Sequence, residues 1–163
     1  MTEITLATNT EDYKIIEDLA NIIWREHYTA IIGKPQVDYM LDKFQSVEAI
    51  EGQISEGYEY YLLSNEDINV GYISINKEDD NLFLSKIYVV GEFRGRDIGK
   101  TALIFVEDKA KAYNLNKIRL TVNVNNLNSI KAYEKLGFKK IGPIVIDIGN
   151  GFIMDDFEMM KEL

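Results

Sequence analysis

Residues 82–100 read LFLSKIYVVGEFRGRDIGK, and the fold turns on them. Leu82–Val90 has the apolar density of a buried strand, and Glu92–Gly95 reads as a turn. Asp97 or Ile98 then opens a helix. Its apolar residues, Ile98, Ala102, Val106, Ala110 and Tyr113, recur on one helical face. The joint between strand and helix is Arg94-Gly95-Arg96-Asp97-Ile98-Gly99, followed by Lys100. Glycine lets backbone approach a ligand with no Cβ in the way. A helix start presents unpaired N–H groups and the positive end of the helix dipole. Together these features make an anion site suited to phosphate. Spacing alone also fits a basic surface turn, because short glycine patterns recur by chance.

A second stretch carries chemistry of the same kind. It reads Asn126-Leu127-Asn128-Ser129-Ile130-Lys131-Ala132-Tyr133-Glu134-Lys135-Leu136-Gly137-Phe138. Paired with RGRDIGK behind a strand, this segment resembles the GNAT superfamily of N-acetyltransferases. Arg94 and Gly99 match the first and last positions of that family's Gln/Arg-x-x-Gly-x-Gly/Ala loop. Asp97 departs from the pattern, where glycine is usual. Residues 126–138 are similar to the family's N-x-x-[SA]-I-x-x-Y-E-K-x-G-F signature.

The resemblance implies an α/β (α+β) fold. Its sheet is mixed and mostly antiparallel, with about seven strands flanked by helices. A parallel pair, 82–90 and 117–123, splays apart at its centre. It also implies acetyl-CoA as cofactor. Backbone from Arg94, Gly95, Arg96, Asp97, Ile98, Gly99 and Lys100 would hold the pyrophosphate, and the Asp97 side chain is expected to cap a backbone N–H. Ile87, Tyr88 and Val89 would bond the pantetheine arm, with the Val89 N–H as oxyanion donor. Asn126 and Ser129 would bond the cofactor, and Tyr133 would protonate the leaving thiolate. By spacing alone, Tyr133 reads as a core residue beside Leu127, Ile130 and Leu136, and Asn126 as a helix cap.

The rest of the chain is consistent with one domain over residues 1–163. Ile4 and Leu6 mark a first strand, at about 3–8. Asn9 or Thr10 caps a helix reaching about His27, and Tyr28–Lys34 links it to a helix at Pro35. A further helix spans about 47–56. Tyr58–Ser64 and Val70–Asn76 are strands. After 117–123 and the helix 127–136 come strands Phe138–Ile148, broken at Gly142-Pro143, and Phe152–Met160, joined by Gly149-Asn150-Gly151.

Composition bounds the function. The 163 residues carry a net charge of −9, which argues against nucleic acid as a partner. There is no cysteine, so no disulfide, zinc-thiolate site or thiol nucleophile can form. No metal is implied. The polar, acidic N-terminus is no signal peptide, and no run of about 18 apolar residues suggests a membrane span. These features favour a cytoplasmic location.

The acceptor side is less defined. Residues 31–46 and 147–163 resemble PaiA-type polyamine acetyltransferases. Extended cations need carboxylates, and Glu26, Asp155, Asp156 and Glu158 are available. Asp156 and Glu158 share a strand face, although acids there also suit a solvated edge. His27, the only histidine, reads either as a base or as a solvated helix-end residue. The expected partner is a small-molecule amine. An exposed final strand could also pair with a second copy, giving a homodimer. The alternative to an enzyme is an acetyl-CoA sensor without turnover.

Overall fold

The computed structural model describes residues 1–163. The elements in chain order are β1 (Thr2–Leu6), α1 (Thr10–His27), α2 (Thr29–Ile32), α3 (Lys34–Gln45), α4 (Val47–Ser55), β2 (Glu59–Asn65), β3 (Ile68–Lys77), β4 (Leu82–Val89), α5 (Ile98–Ala112), β5 (Lys117–Asn123), α6 (Leu127–Lys135), β6 (Lys139–Gly149) and β7 (Phe152–Glu162). All seven strands join one sheet in the order β1-β2-β3-β4-β5-β7-β6. Only β4 and β5 run parallel.

Helices cover both faces. The α5 stripe Ile98, Ala102, Leu103, Val106 and Ala110 packs with Leu82, Leu84, Ile118 and Leu120 in one core. On the other face Ile16, Ile23, Trp24, Val37 and Ile50 of α1, α3 and α4 pack on Tyr60, Leu62 and Tyr72. Helix ends follow local chemistry. Asn9 accepts from the Asp12 N–H at 3.0 Å, and Ser46 accepts from the Ala49 N–H at 3.1 Å. The stretch expected to link α1 and α3 instead forms the short helix α2, and Gly33 at φ +85° turns the chain into α3.

The central strand carries a β-bulge. Ser74 pairs with Lys86 and the adjacent Ile75 pairs with Leu84, so Ser85 is an extra residue on β4. A bulge bends its strand and reverses the side-chain alternation beyond it. Leu82 and Leu84 therefore face α5, whereas Lys86 and Tyr88 face the α1–α4 layer. Past the bulge, β4 leaves β5. Their ladder contains only Leu82↔Ile118 and Phe83↔Arg119. The splay implied by the family resemblance thus has a local cause in Ser85.

Gly71 lets β3 follow the bent strand. A Cβ there would lie 2.1 Å from the Tyr88 carbonyl oxygen. On the other side, the buried Lys86 ammonium donates to the Phe44 carbonyl at 2.6 Å and to Gln53 Oε1 at 3.3 Å. This ties α3 and α4 to β4. Burial pushes Lys86 down to about 7.

Two sequence expectations change. The final strand, β7, lies between β5 and β6, so the exposed edge belongs to β6. The first strand of that hairpin, β6, needs no break at Gly142-Pro143. The register shift between Lys140 and Gly142 absorbs it, and the strand stays continuous.

Gly71→Ala should destabilise the protein by about 3 kcal/mol, the upper range for overpacking, because the clash is with backbone. Urea unfolding checks this, and Gly52→Ala, where a Cβ meets nothing, is the control.

Candidate functional site

A cleft of ≈ 630 Å³ opens where β4 and β5 part. Leu84, Ile87 and Val89 line one side, and Leu120 and Val122 the other. The Val90 N–H donates to the Val70 carbonyl at 2.8 Å. Antiparallel alternation then points the Val89 N–H to the opposite edge, toward the opening. No β5 ladder reaches that far. The backbone of Ile87–Val89 therefore offers hydrogen-bonding groups to whatever fills the cleft.

One mouth of the cleft is the loop before α5. Arg94, Gly95, Asp97, Ile98, Gly99 and Lys100 all line it. Arg96 does not; its guanidinium stacks on Phe93 at 4.8 Å. Gly95 has φ +79° and Asp97 φ +60°. The position where the family usually has glycine is thus a left-handed one, and aspartate is among the few other residues that tolerate it. The expected Asp97 cap is not made: no side chain caps α5. The first-turn amides of Ile98, Gly99 and Lys100 precede the Thr101 N–H, the first to bond back, at 3.0 Å to the Asp97 carbonyl. They are open to an anion. The Arg94 Nε donates to the Val89 carbonyl at 3.2 Å, tying the loop to the strand end.

Helix α6 forms another wall. Ser129 and Tyr133 line the cleft, and the Tyr133 ring packs edge-on to Phe138 at 5.6 Å. Burial raises the Tyr133 hydroxyl above its ordinary value, so it stays protonated at neutral pH. Asn126 is buried at the α6 start but does not cap it. Its Oδ1 shares a hydrogen bond with His27 Nε2 at 3.1 Å. His27 is half-buried rather than solvated, and its desolvation holds it below the usual histidine value. It is therefore neutral at pH 7.

The remaining mouth lies under the α1–α3 layer. Trp24, His27 and Tyr28 line it together, because residues three and four apart share a helix face. Glu26 turns away from the cleft for the same reason; it is exposed, with its carboxylate beside Gly91. Tyr28 stacks on Trp24 at 4.4 Å and meets Tyr88 at 6.2 Å. Asp156 lines this end and is 5% exposed. Burial pushes its carboxyl up to about 6. Asp155 faces solvent, and Glu158 is bonded to Arg119 at 3.3 Å. Of the acids expected on the acceptor side, only Asp156 reaches the cleft.

The sequence reading passed over Trp24, Tyr28 and the Tyr88 side chain. The run Trp24-Arg25-Glu26-His27-Tyr28 held the signal: three ring residues at i, i+3 and i+4 near the end of a helix.

Comparison with known proteins bears on this geometry. A model of the Acetyltransferase (GNAT) family matches residues 16–138. No curated protein matches the sequence significantly. Among solved structures, the PaiA N-acetyltransferase of Thermoplasma acidophilum, in complex with coenzyme A, is 22% identical, with a TM-score of 0.83 over 100% of this chain and 99% of that one. A GCN5-related N-acetyltransferase from Rhodopseudomonas palustris is 17% identical, with a TM-score of 0.84 over 100% and 96% of the two chains. The ribosomal-protein-S18-alanine N-acetyltransferase of Escherichia coli is 16% identical, with a TM-score of 0.72 over 99% and 94%. At these identities the likeness establishes the fold. No helix is long and apolar enough to cross a membrane. With the family model spanning most of the chain, from α1 to the end of α6, this protein belongs to the GNAT family of acetyltransferases, whose cosubstrate is acetyl-CoA.

Proposed function

We propose that this protein is an N-acetyltransferase that moves the acetyl group of acetyl-CoA directly to a primary amine, with both bound at once. The observation that carries this is that one cleft joins the anion-binding loop to a separate acidic, aromatic mouth. A cosubstrate entering at Arg94–Lys100 and an amine entering beside Asp156 would meet at the Val89 N–H. No acyl-enzyme is needed, and the chain has no cysteine to carry one. The sequence likeness to PaiA-type enzymes makes a polyamine such as spermidine one acceptor to test, and the cytoplasm is the proposed location.

The roles follow from the chemistry of each group. The open amides of Ile98, Gly99 and Lys100 would hold the pyrophosphate, helped by the helix dipole, worth about 0.3–1 kcal/mol. Arg94 and Lys100 add charge. Ile87–Val89 would pair with the pantetheine arm as a strand would, and the Val89 N–H would meet the developing oxyanion. Ser129, on the α6 wall, would also bond the cofactor. Tyr133 keeps its proton at neutral pH and would hand it to the thiolate as the C–S bond breaks. Asn126 would act through His27, fixing the ring at the mouth it shares with Trp24 and Tyr28.

Tyr133→Phe should lower kcat by about 100-fold, the lower range for a general acid, with coenzyme A affinity kept. Steady-state kinetics with calorimetry check this. An unchanged kcat would remove Tyr133 from the chemistry, and a sensor would show no turnover to lose.

Asp97 places a carboxylate in a site built for anions. Asp97→Asn and Asp97→Gly should both bind coenzyme A about threefold more tightly at low salt, and the gain should shrink as salt rises. Calorimetry at two ionic strengths checks this. A gain in Asp97→Gly alone would assign the effect to the left-handed backbone instead.

A further inference from the structure

Asp156 stands apart from every other acid in the molecule. It is 5% exposed, on β7 opposite Asn123, where β5 ends. It forms no ion pair; the ionised groups that touch neighbouring acids are spent elsewhere, Arg119 on Glu78 and Glu158, and Lys161 on Glu107. Burying a carboxylate without a cation is costly, and in a cleft such a group is suited to meet a cation that arrives. Desolvation raises its carboxyl, and the Thr121 hydroxyl beside it opposes that shift.

What surrounds Asp156 defines that partner. Trp24, Tyr28 and Tyr88 form a cluster of rings, and Met40 and Met154 complete an apolar wall. Ring faces favour a cation and its hydrocarbon flank together. Helix α3 closes the chamber: Gln36 donates to the Ile153 carbonyl at 2.8 Å, and Tyr39 to the Ile148 carbonyl at 2.6 Å. No second carboxylate lines this half of the cleft; Asp97 sits in the loop at the far mouth.

We propose that the buried carboxylate of Asp156 receives the acceptor's ammonium and removes its proton, and that the acceptor is a compact primary amine with an aromatic or aliphatic flank rather than an extended polycation. This rests on the acetyl-transfer reading above. An extended polyamine would have to bury further charges against tyrosine rings and methionines with nothing to pair them.

The proton balance closes. The ammonium gives one proton to Asp156. The freed nitrogen pair forms the C–N bond to the acetyl carbonyl, and the C–S bond breaks. The thiolate takes the Tyr133 proton, and the second proton leaving nitrogen restores Tyr133. Asp156 releases its proton to solvent. In a site of low polarity, carboxylic acid plus free amine is less disfavoured against the ion pair than in water, which eases the first step.

The other ionisable groups lining the cleft leave this role to Asp156. His27 at the end of α1 is held neutral by desolvation. Burial keeps Tyr28 protonated, up to about 12, and raises Tyr88 on β4 and Tyr133 on α6 as well. Arg94 is bonded to the Val89 carbonyl, Lys100 lies in the first turn of α5 at the far mouth, and Asp155 on β7 faces outward.

The test uses the full chain with 2-phenylethylamine and spermidine as probes. Calorimetry on the coenzyme A complex should show 2-phenylethylamine binding more tightly than spermidine. Asp156→Asn should weaken that amine about 30-fold, in line with stranding one partner of a buried pair, and leave coenzyme A affinity unchanged, which also shows that the variant is folded. Asp156→Glu should recover part of the loss. Wild-type kcat/KM should rise through about pH 6 and level off, since Asp156 must be ionised to accept the proton. In Asp156→Asn it should keep rising toward the pKa of the free amine. Spermidine binding more tightly would overturn the compact-amine assignment. Amine affinity and pH profile unchanged in Asp156→Asn would overturn the role of Asp156. Amine binding that depends on Asp156 without any acetylated product would overturn the acetyl-transfer reading, and with it the proton step.

Discussion

One extra residue in a central strand organises this protein. Backbone N–H and C=O groups inside a sheet must find partners. At Ser85 the bulge bends β4 away from β5, and the ladder ends after Phe83. The edges beyond it keep their hydrogen-bonding capacity but lose their protein partner. Helices close both faces of the gap, α5 and α6 on one and α1–α3 on the other. The result is a cleft through the middle of a sheet, with a strand edge as one wall. The bulge also turns Tyr88 toward the aromatic mouth and leaves Ile87 and Val89 packed toward α5.

The two mouths of this cleft have opposite electrostatics. The loop mouth combines open helix amides with Arg94 and Lys100, in a chain of net charge −9. That local reversal of sign favours an anionic cosubstrate in one orientation. The other mouth is aromatic and holds one unpaired carboxylate. In the proposed reaction, groups entering from both mouths would meet at the Val89 N–H, on the unpaired edge of β4. Rigidity at this point comes from Gly71 and Lys86. Gly71 lets β3 press against the Tyr88 carbonyl, and Lys86 pins the α3–α4 layer to the same strand.

The loop and the α6 motif were legible because their chemistry is local. Glycines, a helix start and a run such as Tyr133-Glu134-Lys135 sit within a few residues of one another. The family resemblance supplied the splay and the seven-stranded sheet. Other features depend on contacts between distant segments. That β7 inserts between β5 and β6 cannot be seen from strand order, so the final strand read as an edge. The bulge left a trace that an alternation count could have caught. Apolar residues fall on even positions at Leu82 and Leu84 and on odd positions at Ile87 and Val89, with Lys86 in between. Asp156 and Glu158 share a strand face and look equivalent by spacing. Only the fold brings Arg119 to one and leaves the other buried and free.

The β4–β5 opening is the proposed seat of acetyl-CoA. The most direct measurement is a coenzyme A titration followed by backbone amide chemical shifts. The amides of Val89, Ile98, Gly99 and Lys100 should move most, together with those of Ile87 and Gly95, while the polar hollow around Glu17, Asn21 and Asp38 stays unchanged. Large shifts confined to that hollow or to the outer edge of β6, with Val89 and Gly99 unmoved, would contradict it.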